Sequence, residues 1–192
     1  MTGATMGFAG IDELVSAIDH AVIRGEQRDV VAELQRSMCQ MIRNAEIRLP
    51  ECVFEAHHER YARRELYTSP DLGYSVIAMT WGPGQGTPIH DHSGMWCVEG
   101  VWRGELEVTQ YEVGDRRGEH YQFEPVGSVQ AGPGSAGSLI PPHEYHTIAN
   151  PSRDEIAVSV HVYRGEMRQC NIFTRLDDDW YERCPRKLGL DA

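Results

Sequence analysis

Apolar residues recur at helical spacing over the first fifty positions, and at alternate positions in short runs over most of the rest. Ile11, Leu14, Val15, Ile18 and Val22 form one stripe, with Gly25 near its stop. Val30, Val31, Leu34, Met38, Met41 and Ile42 form a second, and Leu49-Pro50 closes the pattern. Steps of three and four put such residues on one side of an α-helix, so two amphipathic helices are predicted, their stripes serving as packing faces. From about Tyr61 the texture changes to short β-rich segments separated by Gly and Pro. Tyr74–Trp81 holds Val76 and Ile77 in a strand-like run that Gly82-Pro83-Gly84 ends. Met95–Trp102 and Glu105–Tyr111 flank Arg103-Gly104 and read as a hairpin-like pair of strands. Val126–Gly137, rich in Gly and Ser with Pro133 inside it, reads as a loop or short turns. Alternation is clearest in Ile156–Tyr163, where Ile156, Val158, Val160 and Val162 share one face and Ala157, Ser159, His161 and Tyr163 the other.

Repeats, low-complexity tracts and linkers are lacking, so a single domain over residues 1–192 is expected. Its predicted class is mainly β: a β-barrel or sandwich over residues 51–192 with a helical cap over residues 1–50. A length of 192 residues, 24% charged and 41% hydrophobic, suits a soluble globular domain with a real core. Apolar runs stay well short of the roughly 20 residues that cross a bilayer. The start, M-T-G-A-T-M-G-F-A-G, has neither the basic opening nor the apolar stretch of a secretory signal, so the cytoplasm is the expected compartment.

Charge narrows the partners. Lys and Arg number 18 against 29 Asp and Glu, a formal net charge of −11, and such a surface repels phosphate backbones. The best basic patch, His57, His58, Arg60, Arg63 and Arg64, has no aromatic ladder beside it. Neither nucleic acid nor membrane is expected as a partner, and a monomer is the expected state. The five cysteines are odd in number and widely spaced, without C-x-x-C, which argues against a disulfide framework or a zinc knuckle.

Candidate chemistry centres on His90, Asp91 and His92, within G-Q-G-T-P-I-H-D-H-S-G-M-W-C-V-E-G-V-W-R-G. Imidazoles two residues apart on a strand share a face, so one metal ion can take both if a third ligand arrives from elsewhere. His146, in I-P-P-H-E-Y-H-T-I-A-N, is the natural third. The competing reading is two surface histidines in a turn; the framing glycines and strand-rich surroundings favour metal. Imidazole suits iron, copper, zinc and nickel alike, so the ligands alone do not choose among them.

The spacing of Gly84, His90, His92 and Gly104 resembles the first motif of the cupin superfamily, whose usual glutamate falls here at Cys97. Pro141, His146 and Asn150 resemble the second motif, with His143 in place of its internal glycine. A cupin with cysteine at the glutamate position resembles the thiol dioxygenases, the cysteine dioxygenase family in particular. The likeness runs from about Tyr61 to Tyr163 and includes W-G-P-G-Q-G-T-P-I-H-D-H. It implies a cupin-type barrel in which His90, His92 and His146 hold Fe(II) with no carboxylate among the ligands. It implies further that O2 is the co-substrate and that a small carboxylate-bearing thiol, L-cysteine first, becomes its sulfinic acid. 3-Mercaptopropionate and mercaptosuccinate are alternative substrates. A different cupin metalloenzyme and a ligand-binding cupin are the competing classes.

The same resemblance assigns roles around the metal. Cys97 matches the cysteine that eukaryotic members link to a tyrosine through a thioether, and Tyr163 resembles that tyrosine. Many bacterial relatives carry Gly at the cysteine position, so a Cys97–Tyr163 link stays open, as does a plain buried thiol. His161 and Ser159 resemble the residues behind the tyrosine; a purely structural hydrogen-bonded pair is the other reading. Tyr61-x-Arg63 resembles the segment whose guanidinium clamps the substrate carboxylate. Strand alternation sends Arg63 and Arg64 to opposite faces, so only one should meet the site, and Arg168 is a further candidate. Where mammalian enzymes have Ser-Pro-Pro after the tyrosine, this chain has R-G-E-M-R. Arg164 and Arg168 are thus extra cations that would suit a thiol lacking the amino group or bearing a second carboxylate. His143 is expected near the site mouth, Asp91 turned away from the metal, and Trp96 and Trp102 packed in the barrel or at the pocket rim.

Overall fold

The computed structural model describes residues 6–176 and 179–192. Helices α1 (Ile11–Val22) and α2 (Gln27–Arg43) come first. Strands β1 (Ala62–Thr68), β2 (Ser75–Trp81), β3 (Ile89–His90), β4 (Cys97–Arg103), β5 (Leu106–Arg117) and β6 (His120–Ala131) follow. The last are β7 (Ala136–Leu139), β8 (His146–Ala149), β9 (Ala157–Tyr163), β10 (Gln169–Arg175) and β11 (Trp180–Lys187). One sheet has the order β1-β2-β9-β4-β7, and the other six strands close in the order β10-β11-β6-β5-β8-β3. The mainly β architecture with N-terminal helices is the one the periodicities predict.

The two sides of the five-stranded sheet have different partners. Val76, Ala78, Val98, Val158, Val160 and Val162 pack with Leu14, Ile18, Leu34, Met38 and Met41 of the helices. Ile77, Met79, Trp81, Cys97, Val101 and Tyr163 point the other way, into the barrel. Each fully buried aliphatic side chain is worth about 1.5–3 kcal/mol, so the helical stripes stabilise the sheet from outside. Gly100 lets α2 come close: a Cβ there would stand 2.4 Å from Met38 Cγ and 2.7 Å from Ile42 Cδ1.

Three local readings are corrected. β4 and β5 are not a hairpin: β4 pairs with β7 and β9, β5 with β6 and β8. Arg103-Gly104 is instead the corner where the chain leaves one sheet for the other. Gly104, at φ 71°, fits because a Cβ would meet Ile156 O at 2.6 Å. Val126–Gly137 is not a loop: its first half completes β6 against β5 and its end enters β7. Pairing across the hairpin satisfies the backbone there even though Val126 and Val129 remain exposed. Trp96 and Trp102 pack with the helix-facing cluster, not at a pocket rim.

Candidate metal centre

His90 ends β3 and lies directly opposite His146, the first residue of β8. Their ring centroids are 4.3 Å apart, and His92, two residues on, stands 5.3 Å from one and 5.1 Å from the other. One donor atom from each of the three lies within 4.8 Å of the others. Asp91 between them points away and fixes the turn. It accepts hydrogen bonds from the backbone N–H of Asn171 (2.9 Å) and Ser93 (3.1 Å) and from Asn171 Nδ2 (2.6 Å).

Backbone carbonyls set the imidazole tautomers. His90 Nδ1 lies 3.2 Å from Pro88 O and His146 Nδ1 lies 3.1 Å from Glu144 O. A carbonyl only accepts, so each Nδ1 carries the proton and each Nε2 keeps its lone pair for a cation. Burial holds His92 and His146 well below the ordinary imidazole range and lowers His90 too. Three neutral imidazoles with converging lone pairs fit a divalent transition metal.

Behind the triad runs a buried chain of hydrogen bonds. Trp81 Nε1 donates to Ser159 Oγ at 2.9 Å, and Ser159 Oγ is 2.8 Å from His161 Nε2. Indole N–H only donates, so the serine hydroxyl is free to donate onward and His161 carries its proton on Nδ1. That nitrogen is 3.4 Å from Tyr163 Oη and 3.9 Å from Cys97 Sγ. Burial, with Arg63 nearby, pushes the His161 pKa down to about 3. Cys97 and Tyr163 face each other in the β4–β9 register, and burial raises both groups well above their usual ranges.

A cavity of about 320 Å³ brings Tyr61, Arg63 and Tyr163 together with the three histidines. Arg63 is buried, donating to Gly189 O and Met167 O, while its Nε–H has no partner. Arg64 turns the other way, to Glu55 O, Thr80 Oγ1 and Ala192 O. Tyr61 stacks on Trp81 with centroids 4.6 Å apart. Arg168 pairs with Glu166 and lines a different cavity, and Arg164 is exposed. Arg186, which sequence reasoning missed, lines the histidine cavity. His143 is exposed near Glu112 and does not line that cavity. With Arg63 and Arg64 buried, the basic patch read from sequence is not a continuous surface.

Two buried glutamates stand near the histidines, outside the three-histidine group. Glu144 Oε2 accepts the His92 backbone N–H at 3.0 Å and lies 3.7 Å from His92 Nδ1. Glu99 Oε2 stands 3.4 Å from His161 Nδ1 and 3.9 Å from His146 Nε2, with no hydrogen-bond partner. Burial raises each carboxyl to about 7. After Cys97, the next residue on the same face of β4, Glu99, is acidic. Period-two alternation from Cys97 was the signal that could have found it.

A family model described as Cysteine dioxygenase type I matches residues 26–176. Cysteine dioxygenase type 1 of Danio rerio is 27% identical over 114 residues, covering 59% of this chain and 56% of that relative. The chain thus spans little more than half of the Danio rerio protein. The Rattus norvegicus protein of the same name is 23% identical over 158 residues, covering 74% of this chain and 78% of its own length. Among solved structures, an rmlC-like cupin protein from Desulfovibrio desulfuricans aligns at 15% identity with a TM-score of 0.44, covering 64% of this chain and 100% of that one. The matched span takes in α2, β1 through β10 and all three converging histidines, and the chain belongs to the cysteine dioxygenase type I family.

Proposed function

We propose that the protein is a non-haem Fe(II) thiol dioxygenase that converts a small carboxylate-bearing thiol, L-cysteine first, into its sulfinic acid. The observation that carries this reading is one cavity holding three neutral imidazoles, a buried guanidinium and a phenol. Fe(II), held by His90, His92 and His146, would supply the activation of dioxygen and a seat for the thiolate. The overall change is R–SH + O2 → R–SO2H. Sulfur gives up four electrons, both oxygen atoms end on sulfur, and the thiol proton leaves as the sulfinate ionises.

The protein's own groups bind and orient. Arg63, with one N–H unclaimed, meets the substrate carboxylate, and Tyr61 walls the same pocket. Tyr163 stays protonated and offers its hydroxyl to the reacting groups, while His161, held neutral by burial and oriented by Ser159, steadies it. The facing of Cys97 and Tyr163 supports a thioether between them. Its formation takes one hydrogen from the thiol and one from the ring, with dioxygen as acceptor. An intact mass lower by two hydrogens, restored in Cys97→Ser, would report the link.

Arg186 supports a second reading of the substrate: a thiol with no amino group, such as 3-mercaptopropionate, or with a second carboxylate, such as mercaptosuccinate. Among the described residues no helix is long and apolar enough to cross a membrane. A cytoplasmic, monomeric, single-domain protein completes the proposal. Oxygen uptake across a panel of thiols, with metal analysis on the same sample, tests it. The expected result is iron-dependent uptake with one dioxygen consumed per thiol. Iron-loaded protein that consumes no oxygen with any small thiol overturns the reading in favour of another cupin activity or a ligand-binding role.

A further inference from the structure

A second cavity, about 380 Å³, is lined by both β6 and β7. The two strands do not pair with each other: β7 bonds to β4, and residues 126–131 of β6 bond to β5. Val129 and Ala131 line the cavity from one strand and Ala136 and Leu139 from the other. Val126 and Val129, 52% and 64% exposed, carry its apolar surface out to solvent. Deeper in, Leu106, Val108 and Ile148 continue the apolar wall. The volume is that of a small-molecule site, and an apolar hollow forfeits dispersion contacts unless something fills it. Only Ile148 is shared with the histidine cavity.

One acid interrupts the lining. Glu99, 8% exposed, lines this cavity and not the histidine one, and its Oε2 has no hydrogen-bond partner. Ser159 lines the cavity too, but its hydroxyl is engaged between Trp81 Nε1 and His161 Nε2 and has no second hydrogen to give. A buried acceptor left without a donor is costly, so a donor supplied from outside is favoured there. Among the described residues, no Lys, Arg or His lines the cavity. An anion would therefore meet a carboxyl group and no counter-charge, unlike the carboxylate-bearing thiol proposed for the histidine cavity.

We propose that this cavity is a second binding site, taking a small molecule with an aliphatic body and one hydrogen-bond donor, a hydroxyl or an amine, that reaches the Glu99 carboxyl. The aliphatic body fills the space between Val108, Leu139 and Ile148, and the donor satisfies the acid at the wall. The site is independent of the metal and of the thiol, and it stands whether or not the dioxygenase reading does.

The probes are n-hexanol and n-hexylamine, with methyl pentyl ether as a donor-free control of the same heavy-atom count and hexanoate as an anionic one. Each is titrated into the full-length protein while the methyl NMR signals are followed. Saturable shifts are expected at Val108, Val129 and Leu139. The alcohol or the amine should bind at least about tenfold more tightly than the ether and the hexanoate. In Glu99→Leu the preference over the ether should vanish while the aliphatic body still binds. A tighter alcohol would mark a neutral ligand and a tighter amine a cationic one, and either upholds the site. Absence of saturable shifts in the wild type overturns it, as does an ether that binds as well as the alcohol and the amine. A preference that survives Glu99→Leu, or shifts confined to Met79 and Ile172 of the histidine cavity, overturns it equally.

Discussion

The barrel holds two cavities of similar size and opposite character. One, about 320 Å³, is walled by imidazoles, a guanidinium and phenols; the other, about 380 Å³, is walled mainly by aliphatic chains such as Val101, Leu106, Val108, Val129 and Leu139. They share Ile148, and β8 and β9 contribute to both, while β4 lines only the aliphatic one. Glu99 and Ser159 line the aliphatic one, while His146 and His161, their close neighbours, line the polar one. Strand alternation builds both walls equally well. What differs is how polar groups are satisfied: near the histidines, backbone carbonyls hold the His90 and His146 rings, whereas the aliphatic side asks mainly for volume.

The sharpest contrast comes from the histidines. His92→Ala should abolish metal retention and lower turnover by at least about a thousandfold, because two ligands cannot hold the ion in place. Metal analysis beside oxygen uptake checks this, and a fully loaded His92→Ala would erase the distinction between the ends. Leu106→Ala, on the aliphatic side, should act oppositely. It should cost about 2–5 kcal/mol of stability while turnover per folded molecule holds. Urea titration and active-site-normalised rates separate the two effects, and a loss of turnover without a loss of stability would contradict the division.

Arg63→Ala probes substrate binding within the polar cavity. Removing a charge-assisted contact of about 1.5–3 kcal/mol should lower kcat/KM roughly 10- to 100-fold with metal content unchanged. Equal kinetics would transfer the carboxylate to Arg186. The smallest effect belongs to the surface pair that closes the same region, Arg60–Asp191, whose nitrogen and oxygen are 2.5 Å apart. The Arg60 hydrogen bond lowers the Asp191 pKa from 3.8 to about 2. A depressed carboxyl stabilises the fold above its unfolded value, and that contribution is lost as the pH falls from about 4 to about 2. Half-exposed and screened, the pair is worth about 1 kcal/mol or less. Asp191→Asn should therefore flatten the acid limb of the stability curve slightly, and an unchanged limb would remove the pair from the account.

Periodicity made much of this legible. Ile11 through Ile42 announce helices because neighbouring turns of one segment carry the pattern, and Ala157–Tyr163 splits its two faces as alternation requires. Arg63 and Arg64 diverge for the same reason. The β4–β5 corner was not legible, since Gly104 suits a hairpin turn and a crossing between sheets equally, and only distant partners decide. β6 was missed because its second half is exposed and rich in small residues, its order coming from β5 rather than from its own composition. Glu99 and Glu144 were hidden by the ordinary association of acids with surface; their burial follows from where β4 and the turn before β8 run.

Gly100 gives the helical cap a meaning beyond cover. Cys97 and Glu99 of β4 face inward beside His161, and at Gly100, between strand and helix, Met38 and Ile42 leave no room for a side chain. The outer armour and the innermost chemistry are therefore separated by the thickness of a single strand. Stripping away the first fifty residues would bare the back of that strand and unsettle the groups on its front, so the cap and the catalyst stand or fall as one piece.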